Sequence, residues 1–203
     1  MSRRNVFFTS DWHIGHANVL KYSNRPFRDT KHMAEVLVNN FNASVSPDSI
    51  TYFIGDMGLG PEKELKDVIS KLNGTKILII GNHDKGYNSM LEMGFAAVMH
   101  SVTLFIANTR VTLSHCPLTG IWREHTEGNK GAMPGDNWHG EHKYKNYSLE
   151  DVGQFHLHGH IHSPNSGKSV KILGRQMDVG VDANSYRPVS ISQIESWIAK
   201  SKK

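Results

Sequence analysis

Residues 76–84 read K-I-L-I-I-G-N-H-D, an apolar run of strand length that stops at a glycine and is followed by three polar side chains. Ile77, Leu78, Ile79 and Ile80 form too continuous a run for a strand with one wet face and too short a run for most helices. The pattern therefore predicts a strand buried on both faces of an α/β sheet. Gly81 lets the backbone turn and delivers Asn82, His83 and Asp84 beyond the carboxyl end of that strand, where open α/β sheets place their ligand crevices. Asn and Asp are also ordinary turn residues, so this tetrapeptide taken alone is equally a turn.

Recurrence separates the two readings. Residues 6–10 are a short apolar run ending in Asp11-Trp12-His13, residues 50–54 end in Gly55-Asp56, and residues 111–114 end in His115. Residues 155–157 run into His158-Gly159-His160-Ile161-His162. Strand after strand thus ends in Asp, Asn or His. Carboxylate and amide oxygens mixed with imidazoles, with no thiolate among them, suit divalent ions such as manganese, iron or zinc.

In this order, Asp11-x-His13, Gly55-Asp56, Gly81-Asn82-His83-Asp84, His115 and Gly159-His160-x-His162 resemble the calcineurin-like metallophosphoesterase family. Residues 24–28, Asn24-Arg25-Pro26-Phe27-Arg28, are similar to a segment of a bacterial and phage branch of it. The resemblance runs from residue 6 to about residue 182, and no motif position departs from it. It implies one domain over residues 1–203, a sandwich of two mixed β-sheets flanked by α-helices. It also implies two divalent metal ions, manganese first, with iron, zinc or nickel as alternatives. By resemblance, Asp11, His13 and His162 surround one ion, Asn82, His115 and His160 the other, and Asp56 is shared.

Such a pair, about 3.5–4 Å apart, lowers the pKa of a bridging water and holds phosphate oxygens during in-line displacement. The implied activity is hydrolysis of phosphomonoesters or phosphodiesters, a nucleotide among the candidate substrates. His83 is no ligand in the family pattern and is left to protonate the leaving oxygen or bind a phosphate oxygen. Asp84 would orient it or cap the loop. Asp182, after the last strand, is a candidate partner for a ligand histidine, while His156 and His158 read as hydrogen-bonded structural histidines.

Substrate contacts are expected from His16, three residues beyond the first motif, and from Arg25, whose planar fork suits a phosphate. Residues 116–148 carry five glycines and no periodicity, which predicts a lid or binding loop leaving directly from His115. Within it, Trp122, Arg123, Trp138 and His139 are the candidates for contact.

Between the motifs, helices are expected over 29–41, 61–74 and 88–93. Residues 97–106 and 110–115 read as an antiparallel pair, and Ser190/Gln193 and Ser192/Glu195 as overlapping capping boxes of a terminal helix. No apolar run reaches about 18 residues, so no membrane span is expected. Residues 1–4 with the brief apolar run after them are too short for a signal peptide, so a cytoplasmic location is expected. The single cysteine, Cys116, excludes an internal disulfide and reads as packing, since strand neighbours face opposite ways. A net charge of +4 leans towards anionic substrates. No basic stripe with interleaved aromatics indicates nucleic acid, which places a nuclease acting on nucleic-acid ends second. A non-catalytic metal-containing scaffold is the other alternative, and His83 argues against it because neither fold nor metal needs that residue.

Overall fold

The computed structural model describes residues 5–118, 147–163 and 172–202. Trp122, Arg123, Trp138 and His139, with most of the 116–148 segment, lie outside the described residues. The described residues form two mixed five-stranded sheets with helices against them, the expected fold class.

In the first sheet, β1 (Val6–Thr9), β2 (Ile50–Ile54), β3 (Thr75–Ile79) and β4 (Ala97–Met99) are parallel, and β10 (Val189–Ser190) runs antiparallel to β1. Parallel neighbours need crossovers. These are supplied by α1 (Ala17–Tyr22) and α2 (Thr30–Asn42), then α3 (Glu62–Ser70), then α4 (Tyr87–Glu92). Asp29 caps α2 by accepting the His32 N–H at 2.7 Å. The second sheet has β5 (Val102–Ile106), β6 (Thr109–Leu113), β7 (Phe155–His158), β8 (Ile172–Leu173) and β9 (Gln176–Asp178) in the order β5-β6-β7-β9-β8.

The continuous apolar runs are explained by two cores, one on each face of the first sheet. Phe7, Phe53 and Leu78 point towards the helices and pack with Trp12, Leu37, Phe41, Leu65 and Ile69. Their neighbours Phe8, Ile54 and Ile79 point the other way, joining Val111, Leu113, Leu157 and Met177 of the second sheet and Trp197 of the terminal helix α5 (Ile191–Ser201). Each such side chain is worth about 1.5–3 kcal/mol when buried. Ile77, in the middle of β3, is only half-buried.

Two expectations are corrected. Residues 97–106 are not one strand: Ala97–Met99 pairs with β3, and Val102–Ile106 pairs with β6 in the other sheet. Apolar continuity reports burial, not the partner, so the change of sheet is invisible in it. The hairpin turn is Ala107-Asn108, both left-handed with φ of 48° and 56°, as a two-residue loop matching strand twist requires. At α5 the Ser190–Gln193 capping box forms, whereas Ser192 already lies inside the helix. No helix among the described residues is long and apolar enough to cross a membrane.

Candidate metal centre

Because β1, β2 and β3 are parallel, their carboxyl ends lie side by side, and the loops after them meet those after β6 and β7. The backbone there is unusual. Asp11, His13, Asp56, His160 and His162 have left-handed φ of 59, 52, 57, 71 and 47°, a conformation that costs a non-glycine residue about 1–3 kcal/mol and clusters at functional sites. Asp and His tolerate it better than most side chains. The neighbouring glycines are obligatory for space. A Cβ on Gly55 would enter the His115 ring, and one on Gly159 would meet Ser10 Oγ and Asp11 Oδ2.

Asp56 divides its carboxylate. Oδ1 accepts the His83 backbone N–H at 2.9 Å, while Oδ2 lies 3.3 Å from His115 Nε2 and 3.6 Å from His13 Nε2. One oxygen thus faces two histidines from different motifs. Asp11 accepts the His160 N–H with both oxygens, at 3.1 and 3.0 Å, and its Oδ1 is 3.9 Å from Nε2 of both His13 and His162. Ligand-type atoms of Asp11, His13 and His162, of Asp11, Asp56 and His115, and of His115, Cys116 and His160 form three groups, each within 4.8 Å.

The tautomers follow from the outer partners. His115 Nδ1 donates to the Ile54 carbonyl at 2.8 Å, so neutral His115 turns a lone pair at Nε2 towards Asn82 Oδ1, 3.1 Å away, and towards Asp56. Three acceptors meeting this closely need a cation among them. Burial opposes charge on His115, but Asp56 beside it, Asp11 and the Ile54 carbonyl outweigh burial and raise its pKa to about 10. A divalent ion placed there would supply positive charge in place of such a proton. His162 Nδ1 donates to Asp182 Oδ2 at 2.7 Å, which turns its Nε2 towards His13 Nε2, 3.1 Å away. Burial, then the nearby His115, pushes His160 down to about 3. Burial likewise holds His13 well below the usual histidine range. Imidazoles and buried carboxylates converging on one small volume could hold a divalent metal ion. Asp11, His13 and His162 form one candidate metal group and Asp11, Asp56 and His115 another, with Asp56 Oδ2 near both His13 and His115.

His83 is half-buried, its ring 5.5 Å from that of His13 and 6.2 Å from that of His16. His16 is half-buried beside both. The Asp84 carboxylate accepts the backbone N–H groups of Asp56, Met57 and Gly81 at 2.9, 2.8 and 2.8 Å, the geometry of the loop cap among its two expected roles. Arg25 does not reach substrate space. It is 4% exposed, and its guanidinium is spent on Asp182, Met33 and the carbonyls of Asp11 and Trp12, which corrects the expectation of a phosphate contact. Cys116 is buried, but its thiol lies in the group with His115 and His160. Strand β6 ends at Leu113, so the alternation that read it as packing no longer governs its direction. His156 is structural, with Nδ1 donating to Gln176 Oε1 at 3.0 Å and Nε2 2.8 Å from Ser114 Oγ. His158 Nδ1 donates to the Gly159 carbonyl at 2.9 Å. Ser23, whose Oγ is 3.2 Å from His162 Nδ1, was not singled out in the sequence; nothing near it in the chain signals the contact.

No protein-family model matches the chain. Uncharacterized protein MJ1445 of Methanocaldococcus jannaschii is 42% identical over 206 residues, taking in 100% of this chain and 96% of that protein. The gene 66 protein of Mycobacterium phage D29 is 31% identical over 198 residues, 88% of each chain. Among solved structures, the protein of unknown function AQ665 from Aquifex aeolicus matches with a TM-score of 0.68 at 23% identity, covering 96% of this chain and 100% of that one. That likeness shows a shared fold. Yfce, a phosphoesterase from E. coli, matches with a TM-score of 0.44 at 14% identity, covering 88% of this chain and 79% of that one, too loosely to carry an argument.

Proposed function

The chain belongs to the family of the archaeal protein MJ1445 and the phage gene 66 proteins, and from its own site we propose that it is a phosphoesterase dependent on two divalent metal ions. The observation that carries this reading is the position of Asp56 Oδ2, 3.3 Å from His115 and 3.6 Å from His13, where one carboxylate oxygen serves both halves of the donor set. Asp11, His13 and His162 would hold one ion, Asn82, His115 and His160 the other. Bound there, two ions supply Lewis acidity towards phosphate oxygens and activation of water near neutral pH.

The chain's own contribution is positioning and proton delivery. Asp182 and the Ile54 carbonyl each fix a proton on Nδ1 of a histidine and leave its Nε2 free to bind. The His83 backbone N–H holds Asp56 Oδ1, so only Oδ2 is offered to the donor set. Its half-exposed imidazole stands beside His13, where a protonated ring would give its proton to the departing ester oxygen. His16 flanks the same imidazole as a substrate contact, and Trp122, Arg123 and His139 in the 116–148 segment remain the proposed contacts from a lid. The substrate class is a phosphomonoester or phosphodiester, manganese is the first choice of ion, and the site of action is the cytoplasm.

The test is a hydrolysis screen of manganese-loaded protein on aryl monoesters, aryl diesters, cyclic nucleotides and single-stranded oligonucleotides. Turnover of aryl esters, abolished by chelator, is the expected result. Turnover of oligonucleotides alone would favour the nuclease, and no turnover on any substrate would leave a metal-containing scaffold.

A further inference from the structure

We propose that Arg25 is the positioning residue of one half of the centre, holding the Asp11, His13 and His162 group in place and leaving the Asn82, His115 and His160 half to other supports. The proposal rests on the two-ion reading above. Five N–H groups leave a guanidinium, and five contacts receive them. Nε donates to Asp182 Oδ1 at 2.8 Å and Nη2 to Asp182 Oδ2 at 2.7 Å, a two-pronged grip on the carboxylate. Nη2 also donates to the Asp11 carbonyl at 2.6 Å, and Nη1 to the Trp12 carbonyl at 3.0 Å and Met33 Sδ at 3.3 Å.

These partners reach all three ligands of one half. The same Asp182 Oδ2 that Arg25 grips accepts His162 Nδ1 at 2.7 Å, so the guanidinium fixes the carboxylate that fixes the imidazole. The Asp11 and Trp12 carbonyls lie in the stretch whose ends, Asp11 and His13, are both left-handed. A strained backbone persists only where its surroundings over-determine it, and two charge-assisted hydrogen bonds from a buried cation supply that. Lysine carries the charge but no planar fork, and its three donors cannot meet five partners spread around one plane. None of the Arg25 contacts reaches Asn82, His115 or His160. His115 is held instead by the Ile54 carbonyl, and His160 is linked to Arg25 only through Asp11, whose carboxylate accepts its backbone N–H.

The test uses full-length Arg25→Lys, Asp182→Asn and the double variant, checked for folding by circular dichroism, with manganese stoichiometry and affinity by equilibrium dialysis and the manganese EPR spectrum as readouts. Wild type should bind two ions with a coupled spectrum. Each single variant should keep one ion near wild-type affinity and bind the other about 10–100-fold more weakly, showing a mononuclear spectrum at low manganese. Because both substitutions cut one linkage, the double variant should be far less impaired than the product of the two. Equal weakening of both ions, unchanged binding of both, or multiplicative losses would overturn the proposal. If Arg25→Lys does not fold, Asp182→Asn alone must show the selective loss. If neither folds, the pair is a core element and the positioning role is overturned. A wild-type protein that binds fewer than two ions would instead defeat the two-ion reading, whatever the variants do.

Discussion

Asp84 accepts the backbone N–H of Asp56 at 2.9 Å across 28 residues of chain. The same carboxylate takes the N–H groups of Met57 and Gly81, so one side chain locks the loop after β2 to the loop after β3. The shared ligand candidate and the Asn82-His83 pair are therefore set relative to each other by a carboxylate spent on backbone N–H groups.

Asp84→Ala leaves three backbone donors without their acceptor. At about 1–3 kcal/mol for a buried group left unpaired, with partial relief by water, the expected loss is roughly 2–4 kcal/mol of stability, with weaker binding of both ions. Urea unfolding of metal-free protein and metal dialysis are the checks. Unchanged stability and metal content with a collapsed rate would make Asp84 a catalytic acid instead.

His156 gives the fold a pH dependence of known sign. Burial, then the neighbouring His158, lowers its pKa from 6.5 to about 3, so the folded protein holds it neutral while the unfolded chain protonates it. Its stabilising contribution is present in full above about 6.5 and is lost as pH falls through that value towards about 3. The slope is about 1.4 kcal/mol per pH unit, so about 2 kcal/mol disappears between pH 6.5 and 5. His156→Gln, which cannot titrate, should show a shallower fall by that amount in metal-free urea unfolding. Identical slopes for the two proteins would remove His156 as the source.

His83→Ala separates proton delivery from metal binding. Both ions should stay, and activity should fall far more on alkyl esters than on nitrophenyl esters, whose leaving group needs no proton. Rates across a leaving-group series measure this. Equal losses along the series would assign His83 to the phosphate oxygens, and loss of an ion would make it a ligand.

How far the sequence carried this reading depends on the range of the interaction. Leu78 and Ile79 were legible as a doubly buried strand because burial on both faces demands apolar side chains at consecutive positions. The polar residues behind each strand were legible because parallel strands put their carboxyl ends together. The burial of Arg25 is hidden from the sequence because it depends on Asp182, 157 residues away, while a basic residue beside a proline looks locally like a solvated turn. The break between Ala97–Met99 and Val102–Ile106 was hidden because both pieces are apolar and only their partners differ. Strand alternation says nothing about Cys116, which lies three residues past the end of β6 at Leu113.

Asp56→Asn should disturb both ions at once, because the oxygen facing His13 and His115 loses its charge, whereas His162→Ala should weaken chiefly one. Metal analysis after dialysis distinguishes them. Two full equivalents retained by Asp56→Asn at wild-type affinity would contradict a shared ligand.

The most direct measurement is the hydrolysis rate of a nitrophenyl phosphodiester and monoester as metal-free protein is titrated with manganese. The expected result is no turnover without metal and a rate that rises to saturation at two equivalents per chain. Saturation at one equivalent, or no hydrolysis of either ester at any loading, would contradict a two-ion phosphoesterase.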